Sequence, residues 1–90
     1  MLIRTQSKRS LIELKELKIE IIMDYDTDKY IIKALLDKYP KCLGEYSTEE
    51  KAIKVLDMIE EKYLDANYYN YGCYIKNMLF KMPQDEEVNV

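Results

Sequence analysis

The sequence predicts an α+β fold, an antiparallel β-sheet of about five strands packed against one amphipathic α-helix over about residues 48–66, with a final strand over about 74–82. Three observations predict it. Leu17, Ile19, Ile21 and Met23 alternate with Lys18 and Glu20, the period of a half-buried strand. Ser47-Thr48-Glu49-Glu50 reads as a helix start, and Ala52, Val55, Leu56, Ile59 and Tyr63 follow at the three- and four-residue spacing of a buried stripe. Polar clusters at Gln6–Ser10, Asp24–Lys29 and Asp37–Lys41 separate the apolar runs as turns.

In chain order, Met1–Thr5 is a short apolar start and a strand, and Leu11–Leu14 resumes after the first turn. Leu11, Leu14, Leu17 and Ile21 also fit helical spacing, so residues 11–17 stand open between strand and helix. The β-branched run Ile19–Ile22 favours strand. Asx side chains stabilise the reversal at Asp24–Lys29, which makes a hairpin with Tyr30–Leu36. Pro40 turns the chain into a strand at Cys42–Tyr46, where Gly44 marks a bulge or a close backbone approach. Ser47 and Glu50 form the expected capping box, and Glu49 and Glu50 suit the positive end of the helix dipole. The helix is expected to fray near Asn67, and Asn67–Tyr74 has no period. Tyr74–Met82 is the last strand, stopped by Pro83, so residues 1–83 form one domain and 84–90 a flexible acidic tail.

Composition removes whole classes of function. The 90 residues carry a formal charge of −3 with lysines and acids interspersed, and only Arg4, Lys8 and Arg9 cluster. A nucleic-acid binder is expected to carry a basic face, so nucleic acid is not an expected partner. The longest apolar runs are a few residues, against roughly twenty for a membrane-spanning helix. The start lacks the apolar core and small-residue cleavage site of a signal peptide, so a cytoplasmic location and no membrane are expected. Cys42 and Cys73 are then reduced, and are expected to be small buried residues.

Catalytic groups are not expected either. The chain has no histidine, which removes the commonest general base near neutral pH and most zinc ligation. With only Gly44 and Gly72 there is no phosphate loop. Asp24, Asp26 and Asp28 are spaced like the first ligands of a calcium loop, but Lys29 and Leu35 stand where glycine and a bidentate glutamate are needed. No catalytic residue, metal site or cofactor is therefore assigned.

Two surfaces remain as binding candidates. Tyr68, Tyr69, Tyr71 and Tyr74 offer flat faces with polar tips that lose little entropy on ordering. They could stack a base, clasp a partner, or fold over one end of the sheet. Arg4 and Arg9, with Lys8 beside them, could hold a phosphate or a partner's carboxylates.

Three pieces occur together: Leu2-Ile3-Arg4-Thr5-Gln6-Ser7-Lys8 with Leu11-Ile12, Leu43-Gly44-Glu45-Tyr46-Ser47-Thr48-Glu49-Glu50-Lys51-Ala52 with Val55-Leu56, and Leu79-Phe80-Lys81-Met82-Pro83. In these the chain resembles a family of small uncharacterised proteins of phages and prophages of Gram-positive bacteria. The shared pattern is an arginine-bearing first strand, a Gly-x-Tyr-x-Thr strand-to-helix junction and a closing aromatic-x-Met-Pro strand. The resemblance implies a mobile-element origin, a compact sheet-plus-helix fold, a host bacterial cytoplasm and no catalytic residues. Thr5 and Ser7 depart from it, standing where the family favours a serine and an acid, and the tyrosine-rich stretch is longer.

The expected function is a non-enzymatic phage-derived binding protein, an inhibitor of a host defence or housekeeping protein that acts by occlusion. One alternative is an oligomer that binds or sequesters a small nucleotide, with tyrosines on the base and Arg4 or Arg9 on phosphate. Another is a structural or regulatory homodimer that uses a sheet edge.

Overall fold

The computed structural model describes residues 1–14, 18–36, 39–69 and 79–90, and of 65–69 the backbone alone. Along the chain run β1 (Leu2–Arg4), β2 (Leu11–Glu13), β3 (Ile19–Asp24), β4 (Lys29–Leu35), β5 (Pro40–Tyr46), α1 (Glu49–Tyr69) and β6 (Leu79–Lys81), then a 3₁₀ turn at Asp85–Glu87. The class is α+β, as the sequence predicts.

Among the described residues the strands make two three-stranded sheets, β2-β1-β6 and β3-β4-β5, and not one sheet of about five. All neighbours are antiparallel except β1 and β6, which run parallel with Ile3 opposite Phe80. Alternation identifies a strand and its buried face, but not its partner. Here the partner is set by Ile3, Phe80 and Met82, which must share one core. Residues 74–78 of the expected last strand lie outside the described residues.

β2 settles Leu11–Glu13 as strand; residues 15–17, the rest of that ambiguity, lie outside the described residues. β3 and β4 form the expected hairpin, closed by the Asp24–Lys29 pair. Its turn uses an Asx bond, with Asp24 Oδ1 accepting from the Asp26 amide at 3.0 Å, and Asp28 sits in the left-handed region at φ 57°. Pro40 is the first residue of β5 and not part of the turn, a place where its missing donor is tolerated. Both expectations for Gly44 hold. The register slips between Ile32 and Lys33, which face Gly44 and Cys42 and leave Leu43 as the extra residue. A Cβ on Gly44 would stand 3.1 Å from Tyr46 Oη and 3.3 Å from Gln6 Cβ.

The helix lies against β4 and β5 and buries Ala52, Val55 and Ile59. Leu56 is only half-buried and Tyr63 is 40% exposed, so the buried stripe is narrower and shorter than the spacing suggests. The helix begins one residue later than expected. Thr48 Oγ1 accepts from the Lys51 amide at 3.2 Å, which makes Thr48 the cap. Ser47 instead gives its amide and hydroxyl to Asp85 Oδ1, at 2.8 and 3.1 Å, so the expected Ser47–Glu50 box does not form. The helix runs on past Asn67 to Tyr69.

The C-terminal segment is not a loose tail. Val88 is 6% exposed and belongs to the same core as Ile3, Ile32, Leu43, Tyr46, Val55, Ile59 and Phe80. Gln84 Nε2 donates to Gln6 O at 2.7 Å, and Lys51 Nζ donates to Asp85 O at 3.1 Å. The acidic side chains hid one apolar residue that the core requires.

Candidate functional site

The described surface carries at least two hollows. The first is a cleft of about 300 Å³ where the two sheets meet, lined by Thr5, Gln6, Ser7, Cys42, Gly44 and Gln84 among others. Its chemistry is that of a structural seam. Gln6 occupies the outer edge of β5: its amide donates to Leu43 O at 2.8 Å, and its side chain both donates to and accepts from Glu45. Thr5 and Ser7 hydroxyls bond each other at 3.0 Å. Cys42 is exposed, contrary to the expectation of a buried residue; Cys73 lies outside the described residues. Partial burial pushes the Cys42 thiol up, Glu45 adds to it, and the protonated form that results is a poor nucleophile.

Tyr46 is fully buried next to Gly44. Its hydroxyl donates to Pro83 O at 2.8 Å, and burial raises its pKa, with Asp85 contributing. Asp85 is held below the usual carboxylate range, first by the Ser47 amide and then by the Ser47 hydroxyl and Lys51. Among the described residues no buried side-chain polar atom lacks a partner, and no cluster of histidine, cysteine and carboxylate could hold a metal.

The second hollow is a shallower groove of about 510 Å³ between α1 and β6, lined by Met58, Glu61, Lys62, Leu79, Phe80 and Lys81. Met58 is 37% exposed and Leu79 36%. Strand alternation builds its rim. Ile3 and Phe80 point into the core, so Leu2, Arg4, Leu79 and Lys81 take the outer face. Register then sets Arg4 between Leu11 and Lys81. Two cations, Lys62 and Lys81, thus border an apolar floor with Glu61 as the local acid, and Arg4 stands next to Lys81 on β1.

Of the predicted site residues, Arg4 is exposed and stands opposite Lys81 in the β1–β6 register. Arg9 stands in the β1–β2 loop, also exposed, with its amide donating to Ser7 Oγ at 3.3 Å. It lies two positions before Leu11, the residue opposite Arg4. Tyr68 and Tyr69 fall in the last turn of α1, where only the backbone is described, and Tyr71 and Tyr74 lie outside the described residues. Sequence reasoning missed Met58, Lys62, Leu79 and Lys81. Only the β1–β6 pairing brings Lys81 to Arg4, and Met58 falls just off the stripe that marks the buried face.

Among the described residues no helix is long and apolar enough to cross a membrane. Compared with known proteins, the chain matches no family model, no curated protein and no solved structure.

Proposed function

We propose that this chain is a non-enzymatic, phage-derived binding protein that occludes a host defence protein. Its contact surface is the α1–β6 groove, and Arg4 and Lys81 form its charged rim. The observation that carries this reading is the pairing of exposed Met58 and Leu79 with Lys62 and Lys81 in one shallow hollow, with Arg4 on the strand next to Lys81. An apolar centre with a polar rim is the layout of a protein interface, and such a groove is too open to enclose a substrate. The partner surface that fits is an apolar knob edged by carboxylates, which the cations would orient during encounter.

The titratable groups support binding over catalysis. Cys42 is held as a thiol, Tyr46 is locked as a phenol against Pro83, and Asp85 serves the helix start. Cys42 and Tyr46 are displaced in the direction that keeps their protons on.

The test is in-cell photo-crosslinking in a Gram-positive bacterium, with the photoreactive residue at Met58, at Leu79 or, as control, at Tyr25, which is 85% exposed in the β3–β4 turn. One discrete protein adduct from positions 58 and 79, absent from position 25 and lost with Arg4→Glu/Lys81→Glu, is expected. No adduct, or equal adducts from position 25, contradicts the reading.

A further inference from the structure

The β1–β6 pairing sets two cations side by side, and we propose that Arg4 and Lys81 form a seat for neighbouring carboxylates on an acidic peptide segment of the partner. The proposal rests on the groove reading for who the partner is, and on the sheet alone for the chemistry of what binds.

Among the described residues, charged side chains that face each other across strands are otherwise opposite in sign. Glu20 faces Lys33, and Asp24 faces Lys29. Arg4 and Lys81 instead face each other as like charges, about 4.8 Å apart at Cα as neighbouring strands require. Both are exposed, and exposed Lys8 and Arg9 follow in the β1–β2 turn. Among the described residues none of these four side chains makes an ion pair or a hydrogen bond, although Glu13 lies on β2 and Glu61 in the groove. Like charges set opposite each other destabilise a sheet. This end of the sheet is described on all three strands: β1 runs on into Thr5–Ser10, β2 begins at Leu11, and β6 runs on into Met82 and Pro83.

The surroundings select the occupant. Leu11 stands on the other side of Arg4 and is 54% exposed, and Leu79 shares the outer face two residues before Lys81. Apolar contacts on both sides suit a peptide better than a bare sugar–phosphate strand. The chain carries −3, and without Arg4, Lys8, Arg9 and Lys81 the rest of it carries −7. A polyanion long enough to leave this patch is therefore repelled, whereas a short acidic segment meets the cations alone. The guanidinium fork of Arg4 takes one carboxylate through two hydrogen bonds, and the Lys81 ammonium takes the next as a point charge. The partner segment then lies across the outer face, from Leu11 over Arg4 and Lys81 toward the groove.

Amide NMR of the labelled full chain tests the seat with a blocked Leu-Glu-Glu-Leu peptide, its Leu-Gln-Gln-Leu counterpart, and a single-stranded oligonucleotide. At about 20 mM salt, where screening is weak, the glutamate peptide is expected to shift the amides of Arg4, Leu11 and Lys81, and the shifts are expected to fade by about 300 mM salt. The glutamine peptide, and the Lys81→Glu variant with either peptide, are expected to show none. Lys81→Glu is expected to melt no lower than the parent at low salt, because it turns a like pair into an opposite one, so its lost binding is not lost folding. In cells, a photoreactive residue at Leu11 is expected to capture the same protein as positions 58 and 79. No shifts with the glutamate peptide, equal shifts with the glutamine peptide, or shifts of the same amides by less oligonucleotide than peptide would each overturn the proposal. Adducts at 58 and 79 with none at 11 would also overturn it and leave the groove standing. Peptide shifts with no adduct at any position would sink the groove reading and support the seat.

Discussion

The side-chain amide of Gln6 completes the backbone of Glu45: Nε2 donates to Glu45 O at 2.9 Å, and Oε1 accepts from Glu45 N at 2.8 Å. One side chain thus does what a neighbouring strand would do at that residue. It ends the β3-β4-β5 sheet, ties it to the β1–β2 hairpin, and reaches Pro83 O at 3.3 Å. The two sheets are joined through this contact and through the core behind it.

Replacing Gln6 should therefore loosen the seam. Gln6→Ala removes both Glu45 bonds and is expected to cost about 1–3 kcal/mol, since a backbone pair loses its partner. Gln6→Glu puts an acceptor against Glu45 O and Pro83 O, so it should be the worse variant at pH 7. It should recover part of the loss below about pH 4, where the carboxyl regains a proton to donate. Urea melts of both variants at pH 7 and pH 4 check the order.

Gly44→Ala should be costly for a steric reason. The added Cβ meets Tyr46 Oη at 3.1 Å and Cε2 at 3.2 Å, and that ring is fully buried and bonded to Pro83. Neither ring nor strand can give way freely, so a loss of about 1–3 kcal/mol is expected by denaturant melting. A companion Tyr46→Phe change, which frees the ring from Pro83, should make Gly44→Ala less costly than it is alone.

Asp85 links stability to pH. Its native pKa lies below the usual value because the charged form accepts from Ser47 and Lys51. A depressed native pKa stabilises the fold above the unfolded value of about 4, and this contribution fades as pH falls through the native one. Asp85→Asn should thus melt lower than the parent at pH 7, by about 1 kcal/mol for an anion at a helix start. The gap should narrow toward pH 2. A constant gap would mean that the charge plays no part.

Lys8 carries backbone strain at φ 67° in the β1–β2 turn. Glycine tolerates that region without a Cβ penalty, so Lys8→Gly should raise stability by about 0.5–1 kcal/mol, and Lys8→Val should lower it. Thermal melts decide it, at about 4–8 °C per kcal/mol for a chain of this size.

Much of the fold was legible because periodicity is local. Ile19–Met23, the Asp24–Lys29 reversal and Ala52–Ile59 declared themselves by spacing alone. What stayed hidden depends on partners distant in the chain. Nothing in Leu79–Lys81 says that it runs parallel to Leu2–Arg4, so the groove they form with Met58 could not be foreseen. Gln6 looked like a turn residue because a side chain standing in for a strand leaves no periodic trace. Val88 lay among acids that read as solvated. Arg4 was found because it clusters along the chain with Lys8 and Arg9, but Lys81, its neighbour across the sheet, was not.

Both sheets, the helix and the C-terminal segment share a single core and are expected to open together. Native-state amide exchange tests it at Ile3 in β1, paired with Ile12, and at Ile31 in β4, paired with Ile22. Equal opening free energies at the two amides, falling together in Gln6→Ala, are the expected result. Exchange at Ile3 many times faster than at Ile31, with Ile31 indifferent to Gln6, would show that the smaller sheet is only an appendage and would contradict the account.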